Sequence, residues 1–165
     1  MSARWVLNAS PVIALARVGY ERLLVELPGE AVIPQAVATE IIAGPPSDPA
    51  RRALQRGQFE IMETALLPAV LAWDLGKGES SVISLALSQP GWTAILDDRA
   101  ARKCAKSLGV PVKGTIAVVI LARQRGLITS AAQVLHALQA AGLRLDNGVI
   151  RAALQQGTGE DWEAE

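Results

Sequence analysis

Short apolar runs alternate along this chain with stretches whose apolar residues recur every three or four positions, the pattern of strands alternating with amphipathic helices. Trp5, Val6 and Leu7 make the first strand-length run, and Ser10-Pro11 reads as an N-cap followed by the proline favoured at a helix start. The pattern repeats at 31–33, where a short strand is followed by Pro34 and a helix with Val37, Ile41 and Ile42 on its inner face, ended by Gly44-Pro45-Pro46. A helical patch at 51–55 and a strand at 59–62 come next, then Gly76-Lys77-Gly78 as a flexible turn into a helix bearing Val82, Ile83, Ala86 and Leu87. Residues 93–96, Thr-Ala-Ile-Leu, are the clearest buried strand; they end at Asp97-Asp98, and the helix behind them runs to Leu108 with Gly109 past its end. A strand at 110–112, an apolar helix from Thr115 to about Arg125, and helical patterns at 130–141 and 146–156 complete the series. The alternation predicts one α/β domain over 1–156, a three-layer α/β/α sandwich around a central parallel sheet, with 157–165 as a loose polar tail.

Composition narrows the chemistry. Half of the 165 residues are hydrophobic and 19% are charged, enough apolar side chain for a packed core and too much for a disordered chain. Lys plus Arg equals Asp plus Glu at 16 each, which excludes the overall positive field of a polyanion-coating protein. One cysteine, Cys104, and one histidine, His136, exclude an internal disulfide, a multi-cysteine zinc cluster and a His-rich metal site, so any metal must take oxygen ligands. The N-terminal segment lacks the features of a signal peptide, and the longest apolar candidate for a span, 115–122, runs into Arg123 and Arg125. The expectation is a soluble, cytoplasmic protein.

In a parallel sheet, ligands bind beyond the carboxyl ends of the strands. The polar residues in that place are Asn8, Asp97 and Asp98, with Glu79 in the first turn of its helix near the same edge and Glu40 on the second major helix. Four carboxylates and an amide converging there would repel one another unless a hard divalent cation such as Mg²⁺ or Mn²⁺ neutralised them. Each residue also has a plain structural reading: Asp98 as an N-cap, Glu40 as an exposed residue of an amphipathic helix, Glu79 as a complement to the helix dipole. Between 99 and 125 there are seven basic residues and no acid, and Arg99, Arg102, Lys103 and Lys106 fall on one helix face. A basic face beside an acidic pocket suits phosphodiester chemistry, the cations holding flanking phosphates. Gly-Lys-Gly-Glu-Ser at 76–80 lacks the glycine and residue order of a phosphate-binding P-loop. His136 and Cys104 read as packing residues.

Taken in order, Val-Leu-Asn-Ala-Ser-Pro-Val-Ile at 6–13, Pro-Gln-Ala-Val-Ala-Thr-Glu-Ile at 34–41, Gly-Lys-Gly-Glu-Ser at 76–80, Leu-Asp-Asp-Arg-Ala-Ala-Arg at 96–102 and Leu-Gly-Val-Pro-Val-Lys-Gly-Thr at 108–115 resemble a PIN-domain protein, in the branch that begins with an Asn-Ala-Ser-Pro motif. The resemblance implies a Mg²⁺- or Mn²⁺-dependent endoribonuclease related to VapC-type toxins, acting on RNA, with an antitoxin protein as partner and a homodimer as assembly. By position, Glu40, Glu79 and Asp98 match the family's acids, with Asp97 as an adjacent candidate, and Ser10 matches a hydroxyl near the metal. The family's first Asp falls on Asn8, where an amide keeps a ligand oxygen and removes one negative charge from the site. Three functions follow: a ribonuclease with Asn8, Glu40, Glu79, Asp97 and Asp98 around the cation, a PIN-like module that binds RNA or a protein partner without cutting, or a metal-dependent DNA nuclease or other phosphodiesterase that shares the site and differs only in substrate.

Overall fold

The fold is described from a computed structural model for residues 3–164; positions 1, 2 and 165 lie outside the described residues. Among the described residues five strands form one all-parallel sheet: β1 (Arg4–Leu7), β2 (Glu30–Pro34), β3 (Glu60–Met62), β4 (Trp92–Ile95) and β5 (Val112–Lys113), in the order β3-β2-β1-β4-β5. β1 lies at the centre and pairs with β2 through Arg4↔Glu30 and Val6↔Val32, and with β4 through Arg4↔Trp92 and Leu7↔Ile95. Consecutive residues Trp5, Val6 and Leu7 are all buried, as are Val32 and Ile33, and Ala94 and Ile95. Because successive strand side chains point to opposite faces, the sheet is covered on both, as an all-parallel sheet requires. At the amino-terminal edge Arg4 pairs with Glu30 at 3.1 Å and lies over the Trp92 ring at 4.1 Å, tying the three central strands at their starts.

The helices are α1 (Ala9–Arg17), α2 (Leu23–Glu26), α3 (Gln35–Ile42), α4 (Pro49–Gln55), α5 (Pro68–Leu71), α6 (Lys77–Ser88), α7 (Arg99–Ser107), α8 (Thr115–Gln124), α9 (Ala131–Ala140) and α10 (Asn147–Gly157). α6 packs on β1, β2 and β4 and against α3; α8 carries α9 and α10. The expected parallel α/β architecture is therefore the one observed. Three local expectations change. α1 begins at Ala9 with Asn8 in the N-cap position, two residues before the expected Ser10, because Pro11 still falls within the first turn, where its missing N–H costs no hydrogen bond. β5 is Val112–Lys113 rather than 110–112, since Val110 closes the end of α7 by donating to the Ala105 carbonyl.

The third concerns the tail, which is docked and not loose as far as residue 164. The Glu160 carboxylate accepts hydrogen bonds from the Ser130 hydroxyl at 2.8 Å and from the Ala131 and Ala132 amides at 3.1 Å each, covering the start of α9. Trp162 is buried, stacks on His136 with ring centroids 3.9 Å apart, and donates its indole N–H to Asn147 Oδ1. A single aromatic in a polar segment supplied the apolar area that anchors it. No helix among the described residues is long and apolar enough to cross a membrane.

Candidate metal and nucleic-acid site

The carboxyl edge of the sheet is where the candidate residues meet. The Asn8 amide donates to the Ile95 carbonyl at 3.2 Å, extending the β1–β4 ladder one residue past β1 and fixing Asn8 at the edge. Asparagine at an N-cap ordinarily turns its side chain onto the first helical amides. Asn8 makes no such cap; it is buried, and its Oδ1 has no hydrogen-bond partner among the described residues. An orphaned buried acceptor costs about 1–3 kcal/mol, so a ligand that takes up that lone pair is worth having.

α3 and α6 bring the next two groups. Val37, Ala38 and Ile41 bury one face of α3 and leave Glu40 on its exposed side, directed at the start of α6. Gly78, in the first turn of α6, permits this approach: a Cβ there would lie 2.8 Å from Glu40 Oε2 and 3.5 Å from Asn8 Oδ1. The glycine read from sequence as part of a flexible turn is thus helical, and its missing side chain leaves the space in which Glu40 and Asn8 meet. Glu79 Oε2 folds back to 2.6 Å from the Cβ position of Gly76, the N-cap of α6. Burial, and next the negative charge of Glu79, push the Glu40 carboxyl above its ordinary range. A carboxylate with a second carboxylate and an unpartnered amide oxygen near it is chemically suited to a hard cation. Asn8, Glu40 and Glu79 are the residues that would hold it.

The two aspartates are each bonded at a helix start. Asp97 accepts two hydrogen bonds from Thr115, from its amide at 2.8 Å and its hydroxyl at 2.6 Å, and so anchors the start of α8 to the end of β4. Asp98 is exposed and caps α7 by accepting from the Ala101 amide at 2.9 Å. Among the described residues no three Asp, Glu, His or Cys side chains gather into a group able to hold a metal ion. Glu40 and Asn8 thus approach the Gly78 position and Glu79 the Gly76 position, while each aspartate is bonded at a helix start. Of the pair, Asp97 is half-buried at the strand end and Asp98 is exposed at the start of α7.

Ser10 lines a cleft of about 310 Å³ shared by Glu40 and Arg17 and walled by α1 and the end of α9. Arg99, Arg102, Lys103 and Lys106 line a second depression, of about 840 Å³, that reaches Asp97. Arg102 is partly held, donating to the Leu96 carbonyl at 3.0 Å. Cys104 is buried and burial pushes its thiol up, leaving it an inert packing residue. Sequence reasoning missed Thr115 and Arg144. The Lys-Gly-Thr string at 113–115 marked Thr115 only as part of a motif, and no periodic signal distinguishes Arg144, which sits in a loop.

An all-parallel sheet with a central first strand and helices over both faces defines the class as a parallel α/β sandwich. Residues 4–158 match the family model described as a PIN domain, and the chain belongs to the PIN-domain family, whose fold is generally that of a metal-dependent nuclease. It is similar in fold to the crystal structure of PAE2754 from Pyrobaculum aerophilum, with a TM-score of 0.54 and 17% identity, covering 74% of this chain and 91% of that one. No curated protein matches the chain.

Proposed function

We propose that this PIN domain is a Mg²⁺- or Mn²⁺-dependent endoribonuclease of the VapC-like toxin type, acting in the cytoplasm on RNA and restrained by an antitoxin protein. The observation that carries the reading is the buried, unpartnered Oδ1 of Asn8, facing Glu40 across the space left open by Gly78. When bound, a divalent cation supplies an activated water and neutralises charge on the phosphodiester. Glu40 and Glu79 contribute the negative charge that draws it in, and Asn8 the neutral oxygen. Asp97, held in one orientation by Thr115, presents its carboxylate from the neighbouring strand end, with Asp98 beside it at the start of α7. Ser10 is exposed on the cleft next to Glu40 and offers a hydroxyl to a phosphate oxygen, and the α7 cations hold flanking phosphates. No side-chain nucleophile is needed.

The test is cleavage of a mixed single-stranded RNA panel with Mn²⁺ or with EDTA, by wild type, Glu40→Gln, Asp97→Asn and Asp98→Asn prepared side by side. Mn²⁺-dependent cleavage lost in Glu40→Gln supports the reading; equal cleavage by wild type and Glu40→Gln sinks it. The paired aspartate variants then decide which acid matters. The second reading, a PIN module that binds RNA or a protein without cutting, draws support from the absence of a three-acid group among the described residues. It becomes the better one if no protein cuts and calorimetry finds no Mn²⁺ binding. A homodimer, expected from the family resemblance, is checked by light scattering.

A further inference from the structure

We propose that the depression between α7 and the α9–α10 loop is a two-walled track for single-stranded nucleic acid, with phosphates on the α7 wall and bases on the wall made by Arg144 and Val149. This rests on the nuclease reading of the adjacent edge and deepens it to a strand form. The first wall carries Arg99, Arg102, Lys103 and Lys106; the second carries Arg144 and Val149, and Asp97 lies at the end where the walls meet the sheet edge. None of these five cations makes an ion pair within 4 Å among the described residues, whereas the acids that line the track are already engaged, Asp97 by Thr115 and Asp146 by capping α10 at the Val149 amide. Arg102 gives one N–H to the Leu96 carbonyl, and Arg99, Lys103, Lys106 and Arg144, with no such partner among the described residues, are open to an external anion. Arg99 to Lys106 spans roughly 10 Å of helix at 1.5 Å per residue, long enough for successive phosphates and too long for one small anion.

The second wall decides between strand forms. Val149 is 55% exposed, the highest exposure among the large apolar residues described, and it lines the same depression as Arg144. An apolar side chain and a planar guanidinium on one wall suit the flat face of an unstacked base. A duplex hides those faces. It also carries more charge per unit length, so a purely electrostatic groove would prefer it.

The experiment is fluorescence anisotropy in EDTA, with a labelled single-stranded RNA and the duplex of the same sequence, over a series of KCl concentrations. Single strand should bind more tightly than duplex. Lys103→Ala/Lys106→Ala should flatten the dependence of log K on log salt by about 0.7 per lysine removed. Val149→Ala should lower affinity several-fold with the salt slope unchanged, and Arg144→Ala should lower both. Tighter duplex binding, an unchanged slope in the double-lysine variant, or full affinity in Val149→Ala overturns the proposal, as does a failure of RNA to bind, which would leave an acidic protein segment as the occupant. Binding without Mn²⁺-dependent cleavage would sustain the track while refuting the nuclease reading.

Discussion

Replacing Gly78 with alanine adds one methyl group at the point where Asn8 and Glu40 approach. Its Cβ would fall 3.5 Å from Asn8 Oδ1 and 3.6 Å from Val37 Cγ2, ordinary contacts, but 2.8 Å from Glu40 Oε2. Glu40 must retreat by roughly 0.5 Å or more to reach van der Waals distance. The retreat is cheap for the fold, because Glu40 is the far end of a flexible, exposed side chain. Alanine in α6 meanwhile gains up to about 1 kcal/mol of helix propensity over glycine. The metal-free variant should therefore be as stable as wild type or more so, by up to about 1 kcal/mol. Cation binding should move the other way, since Mg²⁺ demands oxygens at about 2.0–2.1 Å in near-octahedral geometry. At Mn²⁺ one hundred times Kd the wild type gains about 2.7 kcal/mol from binding, and a tenfold loss of affinity cuts this to about 1.4 kcal/mol. Urea unfolding in EDTA and in Mn²⁺ measures both quantities on one sample. The reasoning fails if Gly78→Ala keeps the full Mn²⁺-dependent gain, or if it loses several kcal/mol in EDTA, which would make the close approach a packing contact.

Asn8→Asp should tighten Mn²⁺ binding by calorimetry and destabilise the metal-free protein, since a third negative charge joins Glu40 and Glu79; an unchanged affinity would show that Asn8 is not a ligand. Glu40 sits above its ordinary range because of burial and then Glu79, so its contribution to metal-free stability is complete below the unfolded carboxyl value and is lost as pH rises through the folded one. Glu40→Gln should abolish that slope in EDTA melts, and wild-type Mn²⁺ affinity should begin to fall at a higher pH than an ordinary carboxylate allows. Thr115→Val removes the shorter of the two bonds to Asp97 and should cost about 1.5–3 kcal/mol in urea unfolding; a loss under half a kcal/mol would mean the bond carries little. For Glu160, burial alone would raise the carboxyl, but hydrogen bonds from the Ala132 amide, Ser130, Thr158 and the Ala131 amide outweigh it and hold the group low. Its stabilisation is present above the unfolded carboxyl value and is lost as pH falls through the folded one, so acid should release the tail, seen as a tryptophan fluorescence change absent from Trp162→Phe.

What could be read from sequence followed the distance over which each signal acts. The strands through Val6, Ile33 and Ile95 stood out because burial on both faces leaves uninterrupted apolar runs, and the edge position of Asn8 and Asp97 followed from parallel pairing. The four-residue helices α2 and α5 are too short to show a 3.6-residue period. The start of α1 was misplaced because Ser10-Pro11 is as good a local start signal as Asn8-Ala9, and only the ladder bond from Asn8 to Ile95 decides between them. Asp97 and Asp98 are identical in composition. Their division, one bonded to a residue 18 positions away and one to its own helix, depends on tertiary contact. The docking of Trp162 on His136 joins segments 26 positions apart, and no periodicity in either announces it.

The strand order also imposes a schedule on how the molecule comes into being. β1 can pair with β2, and β2 with β3, once the first 62 residues exist, but the other side of β1 stays open until β4 arrives at Trp92–Ile95. During synthesis from the N-terminus, Asn8, Glu40 and Glu79 are made before the strand that seals their edge, and the cations of α7 come later still. Late closure of a central strand is a non-local step, slow compared with helix formation. A nascent chain of this design would therefore carry the residues proposed to hold a cation before it has the basic helix proposed to draw a polyanion.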